Sequence, residues 1–141
     1  MTEREKLTDI VFDFEQDLAQ KLIGEAKAAA ECAYAPYSEF YVGAALLLAD
    51  GSISRGCNVE NASYGATVCA ERVAVWSAVA QGRLDKQRQP QALAVTAQPC
   101  ALCLQVLSEF VGADFPILVA EGDTFRAFKL GELLPHVFRL D

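Results

Sequence analysis

Three of the five cysteines in this 141-residue sequence have types and spacing suited to chemistry: Cys69, and the pair Cys100 and Cys103 in Pro99-Cys100-Ala101-Leu102-Cys103. Each group falls where apolar spacing predicts a helix to begin. A helix N-terminus offers unpaired amide hydrogens and about half a positive charge, which lowers a thiol's pKa and favours the thiolate that binds metal. The Cys-x-x-Cys spacing lets two sulfurs converge on one tetrahedral zinc ion, with Cys69 as a third ligand from a facing helix. One coordination position is then open. In catalytic zinc sites that position holds a water whose pKa falls toward about 7, a nucleophile at neutral pH. Glu71 is the candidate proton acceptor. Two residues turn a regular helix by about 200°, so Cys69 and Glu71 can both face the metal only if Cys69 caps the helix.

The remaining thiols read differently. Cys32 and Cys57 match no ligand motif and are expected as buried packing, although Cys57 could close a four-cysteine site in which zinc is purely structural. His136, the single histidine, is not assigned to the metal because three sulfurs already are.

These residues need a scaffold. From Leu7 to Ala33 the apolar residues follow the helical period, predicting one or two helices that end where Pro36 forces Ala35 out of helical geometry. Tyr41 to Leu48 and Ile53 to Asn58 read as strands joined through Asp50-Gly51, a hairpin signal. A helix is expected from Val68 through Val79 with Gly82 closing it, then a buried strand from Ala92 to Ala97. Pro99 is placed in the first turn of a third helix running to Phe110, with Gly112 ending it. Two short strands, Pro116 to Ala120 and Thr124 to Lys129, and a terminal helical turn from Gly131 to Phe138 complete the pattern. Five strands interleaved with helices imply an α/β fold, a three-layer α/β/α sandwich around a mixed five-stranded sheet, in one domain spanning 1–141. A parallel pairing of the hairpin with the Ala92 strand would require the intervening helix as crossover.

Composition narrows the partners. Nineteen acidic against 12 basic residues give a net charge of −7, which repels a phosphate backbone and speaks against nucleic acid. The longest strictly apolar stretches, such as Val42 to Ala49, run about half the roughly 18 residues a membrane span needs, so no membrane partner is expected. An odd number of cysteines and an acidic start, Met-Thr-Glu-Arg-Glu-Lys, point to the reducing cytoplasm.

A ligand-x-Glu followed by Pro-Cys-x-x-Cys is the pattern of zinc deaminases, met here by Cys69-Ala70-Glu71 and Pro99 to Cys103. Nearly the whole chain resembles the small homotetrameric cytidine deaminases. The resemblance is carried by Ala35-Pro36-Tyr37-Ser38, Phe40, Val42 to Leu46, Gly56-Cys57-Asn58-Val59-Glu60-Asn61-Ala62-Ser63-Tyr64-Gly65, Cys69-Ala70-Glu71-Arg72, Pro99-Cys100, Gln105-Val106-Leu107 and Gly131 to Pro135. It implies hydrolytic deamination of cytidine and deoxycytidine at C4 of the pyrimidine by a zinc-activated water, with Glu71 moving the protons. It further implies that Asn58 and Glu60 bind the ribose 3′-hydroxyl, that Phe40 packs on the nucleoside and that the backbone near Ala70 positions the base. Phe138 matches an aromatic that enters a neighbouring subunit's site. On the residues alone, turn chemistry after a strand is the lesser alternative for Asn58 and Glu60, while core or interface packing accounts equally well for the two phenylalanines.

Three positions depart from the family pattern: Gln98 in place of the usual Ser, Ala101-Leu102 in place of Gly-Ala, and Leu104 in place of Arg. Three thiolates, zinc and a hydroxide carry a formal charge of about −2, which Arg72 and two helix N-termini almost balance. Leu104 is therefore expected to leave the cluster more electron-rich, so that Leu104→Arg would move the pH profile of turnover. A deaminase of a modified pyrimidine nucleoside or an aminonucleoside, or a noncatalytic zinc scaffold, are the competing readings.

Overall fold

The helical spacing ahead of Pro36 becomes α1 (Gln16–Ala30). It is the first element of the computed structural model, which describes residues 16–140. The earlier part of that pattern, Leu7 to Glu15 with Ile10, Val11 and Phe14, lies outside the described residues. The hairpin follows as β1 (Gly43–Leu47) and β2 (Ile53–Cys57), and its turn uses Gly51 at φ +87°, a conformation that glycine adopts without a side-chain penalty. Next come α2 (Ala70–Ala80), β3 (Ala92–Val95), α3 (Ala101–Leu107), β4 (Pro116–Glu121), β5 (Thr124–Lys129) and α4 (Leu130–Leu133).

The sheet order is β2-β1-β3-β4-β5. β1 pairs antiparallel with both β2 and β3, so the hairpin and the Ala92 strand do not form a parallel pair. The parallel pair is β3 with β4, and α3 is its crossover. β5 returns antiparallel along β4. The sheet is mixed and five-stranded, as expected.

Strand alternation divides the core into two layers. Ala44, Leu46, Leu93, Val95, Ile117 and Val119 face α2 and α3, whereas Ala45, Leu47, Ala92, Ala94, Leu118 and Ala127 face α1. Two glycines let the helices lie close. A Cβ at Gly43 would fall 1.9 Å from the Ala26 carbonyl oxygen of α1, and one at Gly56 would fall 2.1 Å from the Ala70 carbonyl oxygen of α2. Gly56 therefore presses the start of α2, where the candidate catalytic residues sit, onto the sheet.

Some boundaries differ from expectation. Pro99 precedes the extended cap residue Cys100 (ψ 165°) and so lies before α3, outside its first turn. Helix α3 also stops at Leu107, and Phe110 lies in the turn beyond it. The terminal helix spans only Leu130–Leu133, because Leu134, held extended before Pro135 (φ −140°, ψ 84°), cannot continue it.

Candidate metal centre and active site

Cys69 is the cap residue of α2, with extended φ/ψ of −75° and 155°, and Cys100 is the cap residue of α3, at −85° and 165°. Neither thiol hydrogen-bonds its own helix's amides, so both are free to turn toward each other. Cys69 Sγ lies 3.9 Å from Cys100 Sγ, which lies 3.3 Å from Cys103 Sγ in the first turn of α3. All three sulfurs are within 4.8 Å of one another. A tetrahedral ion with about 2.3 Å bonds separates its sulfur ligands by about 3.8 Å, so the donor set fits zinc in size and softness. Among the described residues no Cys57, His136 or carboxylate joins the group.

The cluster is electrostatically prepared. A hydrogen bond from Cys103, assisted by one from Arg72, draws the Cys69 thiol down to about 5. Cys103 is held far above the usual thiol range, first by that same pairing with Cys69 and then by its own burial. Arg72 Nη2 donates to Cys69 Sγ at 3.4 Å, and the guanidinium lies 5.7 Å from the centre of the Trp76 ring. Its Nε is buried without a hydrogen-bond partner, so part of its donor capacity remains available to the sulfurs.

Zinc must displace the proton that this arrangement keeps on Cys103. Calorimetric titration of zinc-free protein in two buffers of different ionisation enthalpy is expected to show at least about one proton released per zinc at pH 7. Affinity is expected to weaken at least about tenfold per pH unit on acidification. Binding independent of pH would contradict the thiolate assignment.

Glu71 sits in the first turn of α2 and is only 4% exposed. Burial pushes its carboxyl above the usual carboxylate range, against the opposing pull of a hydrogen bond with Cys103. Because Cys69 occupies the cap, the geometric condition for both side chains to face one site is met: Cys69, Ala70, Glu71 and Cys100 line a single cavity of about 200 Å³. Phe40 and Asn58 close its other side.

Asn58 is buried and already half committed. Its Nδ2 donates to the Phe40 carbonyl at 2.8 Å and its Oδ1 accepts from the Val42 amide at 2.8 Å, fixing the segment that carries Phe40. Glu60 does not line that cavity. Its carboxylate accepts the Tyr37 and Ser38 amides at 3.0 and 3.1 Å and the Ser38 hydroxyl, facing an adjacent hollow that shares Thr67 with the first. The Ser38 hydroxyl, then the two amides, hold the Glu60 carboxyl below its ordinary range. Phe138 is 67% exposed and outside its own chain's cavity. Gln105 clamps its backbone, Nε2 donating to the Phe138 carbonyl at 2.8 Å and Oε1 accepting its amide at 3.0 Å, so the ring projects outward.

Gln98, noted in the sequence only as a departure, also lines the cavity, as do Val42, Thr67, Val68 and Ala97. No spacing rule points to these wall residues, since they converge from loops through the sheet's tertiary path. Leu104 requires a correction: it is 3% exposed and packed in the apolar core, so an arginine there would carry its charge into hydrocarbon. Cys32 also differs from expectation, being exposed in the turn beyond α1, while Cys57 is half-buried.

Residues 16–118 match the family model for the cytidine and deoxycytidylate deaminase zinc-binding region. The chain belongs to this deaminase family. Zinc is accordingly the metal that the three-sulfur site is built to hold. Several cytidine deaminases are similar to it in sequence. The cytidine deaminase of Halalkalibacterium halodurans is 47% identical over 127 residues, covering 84% of this chain and 92% of that protein. The one from Mycobacterium tuberculosis is 43% identical over 122 residues, covering 85% and 89%. The crystal structure of the Burkholderia pseudomallei cytidine deaminase superposes with a TM-score of 0.76 at 42% identity, covering 89% of this chain and all of that one. In this family member no described helix is long and apolar enough to cross a membrane.

Proposed function

We propose that the chain is a zinc-dependent hydrolytic deaminase that converts cytidine and deoxycytidine to uridine and deoxyuridine with release of ammonia, a step of pyrimidine salvage. The observation that carries this is the shared cavity: a buried carboxylate and two of the three clustered sulfurs border one space next to Asn58 and Phe40.

In this reading Cys69, Cys100 and Cys103 hold the ion, and Arg72 offsets their charge. The zinc ion, when bound, supplies an activated water as nucleophile. Glu71 takes that water's proton, delivers it to N3 of the pyrimidine and then assists departure of the C4 amino group. Its burial-raised pKa suits a group that must hold a proton between two transfers. Asn58 keeps one amide hydrogen and one oxygen lone pair beyond its two backbone bonds, and these face the ribose 3′-hydroxyl. Glu60 joins Asn58 at that hydroxyl with the lone pairs its loop bonds leave free. Phe40 packs on the nucleoside, and the backbone at the fully buried Ala70 sets the base against the metal.

A panel of cytidine, deoxycytidine and free cytosine, followed by ultraviolet absorbance with zinc quantified in the same sample, tests the reading. Buried groups built to pair with a sugar hydroxyl reject a substrate that lacks it, so the nucleosides should exceed cytosine by about 10⁴-fold in kcat/KM. Equal use of cytosine, or ammonia release only from a modified nucleoside, would overturn it.

The active form is a cytoplasmic homotetramer in which each single-domain subunit lends Phe138 to a neighbour's cavity. Exposure of Tyr37, Phe40, Tyr41, Tyr64, Trp76 and Phe138 supports association, since so many bare aromatics are unusual on a monomer. Sedimentation is expected to give four times the 15.3 kDa chain mass. Phe138→Ala should fold normally yet lose activity, and mixing it with Glu71→Ala subunits should restore a measurable fraction. Full activity of Phe138→Ala alone would refute the shared site.

A further inference from the structure

The metal cluster takes three of the five cysteines and leaves Cys32 and Cys57 as free thiols. Alternation along β2 sets the direction of Cys57. Gly56 faces α2, so Cys57 points to the opposite side of the sheet, toward α1. Its cross-strand partner Gly43 shares that side, where a Cβ would fall 2.4 Å from the Ala30 amide nitrogen at the last residue of α1. Cys57 therefore lies under the end of α1, and Cys32 is the second residue past that end.

Two ties bracket the pair. On one side Arg55, two residues before Cys57 on the same strand face, forms an ion pair with Glu25. Glu25 lies within α1, and Cys32 follows in the turn that closes the helix, its amide donating to the Ala29 carbonyl at 3.0 Å. On the other side the Tyr34 amide donates to the Asn58 carbonyl at 3.0 Å, and the Glu60 amide donates to the Tyr34 carbonyl at 2.8 Å, a parallel bridge that sets Tyr34 beside Val59. Cys32 and Cys57 each stand two residues before a member of that bridge. Burial first, and then a charge on Cys32, raises the Cys57 thiol above its ordinary range.

We infer that Cys32 and Cys57 form a reversible disulfide under peroxide, stapling the exit of α1 to the end of β2 immediately before Asn58. Cys32, the exposed thiol, attacks hydrogen peroxide, becoming a sulfenic acid as one water leaves. Cys57 then attacks that sulfur, the S–S bond forms and a second water leaves. The two thiols lose two electrons and two protons, and the peroxide oxygens end as water. A small thiol such as glutathione reverses the bond, in keeping with a transient disulfide in a reducing compartment.

The test uses zinc-loaded wild-type protein treated with hydrogen peroxide, alkylated, and mapped without reduction. The expected result is a mass loss of about 2 Da, a Cys32–Cys57 linked peptide, unchanged zinc content and a Tm raised by several degrees, reversed by dithiothreitol. Cys32→Ser, at an exposed position, should fold and bind zinc normally but show neither link nor Tm shift. Over-oxidation of Cys32 without a link, an intermolecular Cys32 disulfide, or oxidation of the zinc-site cysteines ahead of this pair would overturn the inference. None of these readouts depends on which nucleoside the enzyme uses.

Discussion

Glu71→Ala is expected to keep one zinc ion per subunit while turnover falls by about 10²–10⁴-fold, the usual contribution of a positioned general acid and base. Zinc is retained because the clustered donors are three sulfurs, and the Glu71 carboxylate is not among them. Loss of the ion on this change would make Glu71 a ligand and remove the proton carrier from the mechanism. Glu71→Gln should be as inactive yet more stable. A carboxyl whose folded pKa is raised by burial contributes least stability when ionised: stability falls as pH rises from the ordinary carboxylate range through the raised value. At pH 7 the neutral amide escapes that cost. A Tm above wild type at pH 7, with the gap closing as pH falls from the raised value to the ordinary carboxylate range, is therefore the expected signature, and its absence would contradict the buried placement.

Leu104→Arg is expected to act on folding before it acts on chemistry. The sequence places Leu104 beside a metal ligand and invites the view that a lost cation alters the acidity of the site. Its side chain instead joins the core layer containing Leu107, Val95 and Ile117, where an unpaired charge costs about 3–5 kcal/mol. That is a large share of the about 5–15 kcal/mol by which a domain is stable. Denaturant unfolding should show the midpoint collapse. A variant as stable as wild type with a displaced pH profile would restore the electrostatic view. The charge balance that Leu104 was expected to disturb rests instead on Arg72, whose Nη2 meets Cys69 Sγ at 3.4 Å.

Much of this was legible from residue order because local rules and tertiary packing agree. Alternation in Ala44 to Leu48 and Leu93 to Val95 already separates two core layers, and the expectation that Cys69 must cap its helix is met by its extended backbone. The three sulfurs were legible because ligand spacing has a fixed geometric meaning. Elsewhere the local signal was ambiguous. Pro99 fits either a first helical turn or the residue before a cap, and only the extended Cys100 backbone decides between them. Antiparallel pairing of β1 with β3 is a long-range choice invisible to propensity. Glu60 reads as a partner of Asn58 two residues away, and what residue order does not show is that the Tyr37 and Ser38 amides hold its carboxylate in a hollow adjoining the metal cavity at Thr67. A single sequence likewise cannot say whether a cysteine at a helix end, such as Cys32, turns inward or out.

X-ray absorption at the zinc edge of the purified enzyme is the most direct test of the central claim. Three sulfur scatterers and one oxygen, with the oxygen shell altered when a nucleoside analogue is added, is the predicted result. Four sulfurs, unchanged by any nucleoside, would mean a closed structural ion and no deaminase at this site.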